Sequence, residues 1–376
     1  MLLSFAYVFL LAQAIVALRP IYSFSQVKRH DTFLCKQSKQ KIDDEMSDNC
    51  YTSLLLSVAY DGGRFTGWSA ANKPNISQNA GLVRSVEGVL RKNLCKLFGD
   101  VDPSNIVLEG CSRTDKGVHS LGMVVQAYCL AQDWEERNMT SSIPGKRLPH
   151  PTGPNDDTCF LPFRLSPDRL QTVLNRMLPD DMTICGVCPS PPLQEGLRPF
   201  HPTMDALSKT YQYTFSLGPI HDPTQWRRTW HIVEPKFEVS PQMEALCTLL
   251  CGTKDFRAFR GTARGRDDKI RQTRESTICT LHNVTLTPLN VMTTTTLTES
   301  TIPELQTYQF TFTGNRFLYK MVRYLVGSFV AVGSGELTCQ DIENALQNGH
   351  FFTKKPPCAP AHGLVLKEVK FQRNID

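Results

Sequence analysis

The sequence predicts an α+β fold in which an antiparallel sheet is covered on one face. Two periodicities carry this reading. Tyr211, Tyr213, Phe215 and Leu217 alternate with Gln212, Thr214 and Ser216, and Tyr308, Phe310 and Phe312 alternate with polar neighbours, as half-buried strands do. Val83, Val86, Leu90, Leu94 and Leu97 instead recur at three- and four-residue spacing, which marks an amphipathic helix. Strands and helices of this kind come in mixed order, and with several alternating strands that order argues for α+β.

The elements follow in sequence. Leu2 to Leu18 is a hydrophobic run with only Ser4 and Gln13 as clear polar interruptions. It is short for a membrane span, of the right size for a signal-peptide core, and has no basic residue before it. Tyr22 to Cys50 is rich in Lys, Ser, Gln and Asp without periodicity, and is expected to be disordered. Leu54 to Tyr60 reads as a buried strand stopped by Asp61-Gly62-Gly63. The amphipathic helix comes next, then a strand from about Met123 to Cys129. Residues 131–162, with many Pro, Gly, Asn and Asp, read as a surface insertion. Ser166-Pro167 supplies an N-cap and first-turn proline for a helix through Met177. Ser240-Pro241 opens another helix, closed by Gly252. Thr293 to Thr301 is expected to be a loop between strands. Arg316 to Val330 reads as a helix with Leu318, Met321, Leu325 and Phe329 on its core face.

Composition narrows the classes. A chain of 376 residues is long enough for two domains, and 41% hydrophobic with 20% charged residues is ordinary for a soluble globular protein. The net charge of +5 permits a polyanionic partner without demanding one. Basic residues do crowd between Lys254 and Arg274, where Gly261 and Gly265 would let backbone approach a phosphate. Thirteen scattered cysteines do not suggest a disulfide framework. Cys185 and Cys188, and Cys247 and Cys251, lack the spacing of a four-ligand zinc site, and the first pair reads as small buried hydrophobes. No metal is expected.

The most informative stretch is Gly110-Cys111-Ser112-Arg113-Thr114-Asp115-Lys116-Gly117-Val118-His119-Ser120-Leu121. It places one carboxylate, Asp115, between two cations and beside a glycine, just before an apolar run. Arg113 and Lys116 favour its charged form. A charged carboxylate in a turn beside a strand suits a nucleophile or base acting on a bound substrate. Taken alone, the same string also reads as a polar turn with a salt bridge. Arg323 raises a separate question. It lies in a largely apolar helix, where a lone charge is costly, so a carboxylate partner or an escape to the surface is required.

The loop resembles the catalytic loop of the tRNA pseudouridine synthase A family, whose pattern is Arg-Thr-Asp-x-Gly-Val-His followed by a small residue. Five further blocks resembling that family stand in order. They are Tyr60 to Trp68, Lys209-Thr210-Tyr211-Gln212-Tyr213, Gly252 to Phe259, Phe317 to Gly327, and Pro356 to Leu364. The resemblance runs from about Tyr51 to Phe371. It implies two similar α/β domains of the RRM or ferredoxin-like kind, joined in a mainly antiparallel sheet around a basic central cleft. The expected division is a leader at 1–50, an N-terminal catalytic domain at 51–198 with its insertion at 131–162, and a C-terminal domain at 199–376.

The resemblance also implies an activity: isomerisation of uridine to pseudouridine in the anticodon stem-loop of tRNA, at positions 38, 39 or 40. No cofactor is needed, since the reaction has no net redox change and takes up no external group. Asp115 matches the family's catalytic aspartate. Arg113 would pair with a phosphate or fill the gap left by an extruded base. Tyr211 would offer a ring on which the flipped uridine stacks, with Tyr213 as packing. Arg323 matches the arginine that pairs with the aspartate, and His119 is expected to order the turn. The partners implied are tRNA and a second copy of the chain in a homodimer, with no stable membrane association after leader removal.

Some positions depart from the family pattern. Pro202-Thr203 stands where Ala-Arg is usual after Phe200-His201, Ser69 where a glutamine is usual, and Ser85-Val86-Glu87 where Thr-Val-Gln is common. Two rivals remain: a non-catalytic tRNA-binding or chaperone protein of the same fold, and a metal-dependent hydrolase using Asp115 and His119. The leader resembles the bipartite kind that directs proteins to plastids bounded by extra membranes. An organelle, with the plastid foremost, is thus the expected location, with secretion, a membrane anchor, the cytoplasm or the mitochondrion as alternatives. Glycans at Asn75, Asn138 or Asn283 would report passage through the secretory pathway.

Overall fold

The computed structural model describes residues 52–69, 84–99, 101–131, 151, 159–161, 165–233, 239–262, 270, 272–273, 275–289, 305–347 and 352–372. The expected leader, most of the insertion, the threonine-rich segment, and Arg264, Arg266, Lys269, Arg271 and Arg274 of the basic window lie outside these residues. Asp48–Asp376 form one compact unit.

Among the described residues one sheet holds eleven strands. These are β1 (Leu54–Tyr60), β2 (Ile106–Gly110), β3 (His119–Leu130), β4 (Cys159–Phe160), β5 (Met182–Pro189) and β6 (Ala206–Leu217) in the first part. β7 (Trp230–Ile232), β8 (Gly252–Asp255), β9 (Ile278–Leu289), β10 (Gln306–Gly314) and β11 (Leu364–Phe371) follow. The helices among the described residues include α1 (Val86–Leu97), α2 (Pro167–Met177), α3 (Pro241–Leu250), α4 (Met321–Gly333) and α5 (Cys339–Gln347).

The main path of the sheet runs β5-β1-β3-β11-β6-β10-β9-β8, with β2 and β4 also on β3 and β7 on β6. Pairing is antiparallel except between β11 and β3 and between β6 and β7. The strand formed last, β11, therefore lies between β3 of one half and β6 of the other. This arrangement makes a fork. One edge of β3 pairs with β1, while its other edge meets β11 at His119 and Ser120 and β2 from Val125 to Cys129. Residues 111–118, which join β2 to β3, leave the sheet where those two neighbours diverge.

The expected strands and helices form, with informative differences. Ser85 and Ser166 cap α1 and α2 through hydrogen bonds accepted from the Gly88 and Arg169 amides. Gly252, at φ +95°, closes α3 as the left-handed residue after its cap. Helix α4 begins at Met321 rather than Arg316, because Lys320 takes a left-handed conformation at φ 58° that stops the helical path. Part of the expected insertion is a strand: β4 pairs with β3 through Cys129 and Leu130. Strands β2, β7, β8 and β11 and helix α5 are additional to the sequence expectation. Cys185 is exposed rather than buried, since it takes the outward position between inward Ile184 and the β1-paired Gly186.

Among the described residues, the five helices named above lie on one face of the sheet. Val86, Leu90 and Leu94 of α1, Leu170 and Leu174 of α2, Leu246 and Leu250 of α3, Leu325 and Phe329 of α4 and Ile342 of α5 join a single buried cluster with Leu56, Val58, Tyr213, Phe310 and Phe312. Each such side chain removed from water contributes about 1.5–3 kcal/mol. A small cluster of Val107, Tyr128, Leu130 and Cys159 occupies the opposite face under β4.

Candidate active site

Asp115 stands at the end of the fork, on a loop whose backbone is fixed from several sides. The Thr114 hydroxyl is 2.7 Å from the Tyr60 hydroxyl, and the Thr114 carbonyl accepts from the Trp68 amide at 3.1 Å. Gly67 has φ +114°, and a Cβ there would come within 2.8 Å of the Thr114 carbonyl oxygen. A Cβ on Gly62 would overlap the Val118 carbonyl. The glycines of the Tyr60 to Trp68 block thus let two backbones touch, which a side chain would prevent. The loop closes on itself through the Val118 amide and the Asp115 carbonyl, with Gly117 at φ +82°.

His119 ends the loop and is 3% exposed. Its Nδ1 accepts from the Gly62 amide at 3.1 Å, and its Nε2 faces the carbonyls of Arg227 and His362 at 3.0 and 3.1 Å. A neutral ring protonated at Nε2 satisfies all three contacts. Burial pushes the imidazole below its ordinary range, outweighing the pull of Asp61, whose Oδ1 lies 3.1 Å from Nδ1. His119 therefore ties three segments together and orders the turn.

The ion pair of Asp115 runs to Arg323, not to the exposed Arg113 and Lys116 that flank it in sequence. Arg323 Nη1 donates to Asp115 Oδ2 at 3.1 Å, and Arg323 Nε donates to the Ala359 carbonyl at 2.7 Å. The side chains of Arg323 and Asp115 are 13% and 21% exposed, so the pair is largely shielded without being sealed. The Ala359 amide in turn donates to the Arg323 carbonyl at 3.1 Å. This contact is close because a Cβ on Gly327, one turn along α4, would overlap the Pro357 carbonyl. Surface escape by Arg323, the alternative left open by the sequence, is absent.

Tyr211 and Tyr213 occupy alternate positions of β6 and point to one face. The Tyr211 hydroxyl is 2.9 Å from Ser112 Oγ, and its ring meets Phe317 edge-on at 5.0 Å. Burial raises the Tyr211 phenol above its ordinary range, with the charges of Cys111 and Asp115 adding to the effect. Tyr213 lies deeper, donating to the Pro360 carbonyl at 2.9 Å beneath Gly363, where a Cβ would press on its ring. Lys209 shares that face of β6 and is 9% exposed. Burial lowers its ammonium, and Arg316 nearby lowers it further. Arg113 is exposed on the same loop as Asp115.

The structure therefore brings Asp115, Tyr211 and Arg323 into one place and leaves Arg113 at its rim. Ser112, Lys209, Phe317 and the Ala359 carbonyl are further members that sequence reasoning did not single out as site residues. Lys209 and Phe317 stood within recognisable blocks. No local pattern signals the Ser112–Tyr211 contact, which joins positions 99 residues apart. Among the described residues no group of three or more His, Cys, Asp and Glu is placed to hold a metal ion. A shielded carboxylate held by a guanidinium beside an aromatic ring is equipped for nucleophilic or proton-transfer chemistry on a ring-shaped substrate.

Comparison with known proteins sharpens this. A family profile described as tRNA pseudouridine synthase matches residues 246–372, a span holding Arg323, the Ala359 loop and β11. Through this span the chain is similar to pseudouridine synthases. The tRNA pseudouridine synthase A 2 of Clostridium tetani is 26% identical over 317 residues, covering 84% of this chain and 98% of its own length. The tRNA pseudouridine synthase A of Citrifermentans bemidjiense is 26% identical over 329 residues, covering 86% and 99%. That of Ruminiclostridium cellulolyticum is 28% identical over 318 residues, covering 85% and 99%. The chain is thus similar to proteins named tRNA pseudouridine synthase A over most of its length and of theirs.

Proposed function

We propose that this protein isomerises uridine to pseudouridine in the anticodon arm of tRNA, with Asp115 as its catalytic carboxylate. The observation that carries the reading is the Asp115–Arg323 pair. One guanidinium takes Oδ2 and, through a second donor, is itself fixed to the backbone, so the carboxylate is oriented before substrate arrives. The reaction breaks the bond between uracil N1 and the ribose, rotates the base, and joins C5 to the same ribose carbon. The proton displaced from C5 is matched by one gained at N1. Atoms and electrons balance within the nucleotide, so no redox partner takes part.

Tyr211 is the ring against which the base rests, a contact worth about 1–3 kcal/mol. Arg113 meets a phosphate or fills the gap in the stack, offsetting part of the few kcal/mol that extruding a base costs. Action as a homodimer rests on family resemblance. An organellar, plastid-directed location rests on the hydrophobic run of the leader; a fluorescent reporter fused to residues 1–50 that stayed in the cytosol would refute it.

The test of the reaction uses unmodified tRNA transcript, incubated with the protein or with its Asp115→Ala variant and mapped by carbodiimide-dependent primer-extension stops. Stops in the anticodon arm are expected with the parent protein only, while both proteins bind the transcript. Binding without stops for the parent would sink the catalytic reading in favour of an RNA-binding role.

A further inference from the structure

The segment between β6 and β7 carries a feature that the site described above does not use. Trp226 is 59% exposed, although a ring of its size is ordinarily well buried. The Arg227 guanidinium lies over it, 5.0 Å from the ring centroid, and Arg228 is exposed beside it. The acid of this segment does not neutralise these cations. Asp222 is engaged locally, with Oδ1 accepting from both the amide and the hydroxyl of Thr224 at 2.7 Å.

The backbone beneath the ring is fixed. The Gln225 amide donates to the Asp222 carbonyl at 3.2 Å and the Arg228 amide to the Gln225 carbonyl at 2.8 Å, two successive tight turns with Trp226 at the apex of the second. The Arg227 carbonyl accepts from His119 Nε2 at 3.0 Å, and the Thr229 carbonyl lies 3.2 Å from His362 Nε2. One anchor is the residue that ends the catalytic loop, and the other belongs to the loop that holds Arg323.

We propose that Trp226, with Arg227 and Arg228, is a second RNA-binding platform, on which an unpaired nucleobase of the substrate stacks while the arginines meet the flanking phosphates. A rigid, exposed indole offers a stacking face to any base, and a preorganised loop loses little freedom when it is covered. Two adjacent guanidiniums select a polyanion over an apolar partner. The anchors to His119 and His362 place the platform on the same framework as Asp115. The inference rests on the assignment of an RNA substrate above, and adds a contact that acts on affinity rather than on the reacting bond.

The test measures binding of labelled tRNA to the full chain across a salt series, alongside pseudouridine formation by the parent protein. Trp226→Ala is expected to weaken Kd about 5- to 150-fold, the loss of one stacked base, and Trp226→Phe to recover most of it. The Arg227→Ala/Arg228→Ala double variant is expected to lower the slope of log Kd against log salt by about 1.4 to 1.8. Indole emission of the parent should be quenched by RNA, and that quenching lost in Trp226→Phe. An active parent whose Kd and salt slope are matched by both variants would overturn the platform alone. A change in oligomeric state with unaltered RNA binding would likewise overturn it, assigning the surface to a protein partner. A parent that binds RNA through Trp226 yet forms no pseudouridine would instead sink the functional reading and uphold the platform.

Discussion

Arg323 divides its donors between the Asp115 carboxylate and the Ala359 carbonyl, and the two bonds together set where the carboxylate points. A lysine keeps the charge but has no planar fork, so it can serve one acceptor only at the expense of the other. Arg323→Lys is therefore expected to lower the single-turnover rate about 10²-fold, the scale of a misplaced catalytic group, while thermal stability changes far less. A rate within about threefold of the parent's would show that charge alone suffices. At this scale much was legible in the sequence. Asp115 stood out among its flanking cations, and burying Arg323 demanded a carboxylate. The loop chemistry nevertheless pointed first to Arg113 and Lys116 as the neighbours of Asp115, because proximity in sequence was all it could see. The real partner is 208 positions away, and only the family pattern linked the two. The Ser112–Tyr211 contact had no such pattern behind it.

Helix α4 lies against the closing loop because Gly327 has no side chain. In an ordinary helix interior, glycine to alanine stabilises by about 1 kcal/mol. Here the added methyl would overlap the Pro357 carbonyl, so the sign reverses. Gly327→Ala should destabilise by about 1–3 kcal/mol and slow the reaction, since the displaced loop carries the Ala359 carbonyl. Thermal melting and single-turnover rates check this, and a stabilised, fully active variant would show that the loop yields freely. Elements with a strong period were legible: β6 and β10 through alternation, α1 and α2 through their caps and apolar stripes. The short strands were not. Strand β2 is only five residues long and β4 two, too little for a period to register, and β4 was hidden in a segment rich in turn formers. The start of α4 was misread because Arg316 to Lys320 extends the apolar pattern while the backbone at Lys320 turns the other way.

For the whole molecule, the telling fact is that β11 pairs with β3 on one side and β6 on the other. Halves that each completed their own sheet would open independently; halves that share a strand should open together. Hydrogen exchange is accordingly expected to give the amides of β3, β6 and β11 one common opening free energy, and two separate values would mean two independently unfolding domains. Ser120 and Leu366, which meet across this seam, are 246 positions apart. At about 5–20 residues per second a ribosome needs roughly 12 to 50 s to get from one to the other. For all that time the emerging catalytic loop has neither its final neighbouring strand nor the carbonyl that steadies Arg323. On the role proposed for Asp115, a message broken before that point should yield a chain that cannot aim its carboxylate, so fragments of this protein are expected to be born inert.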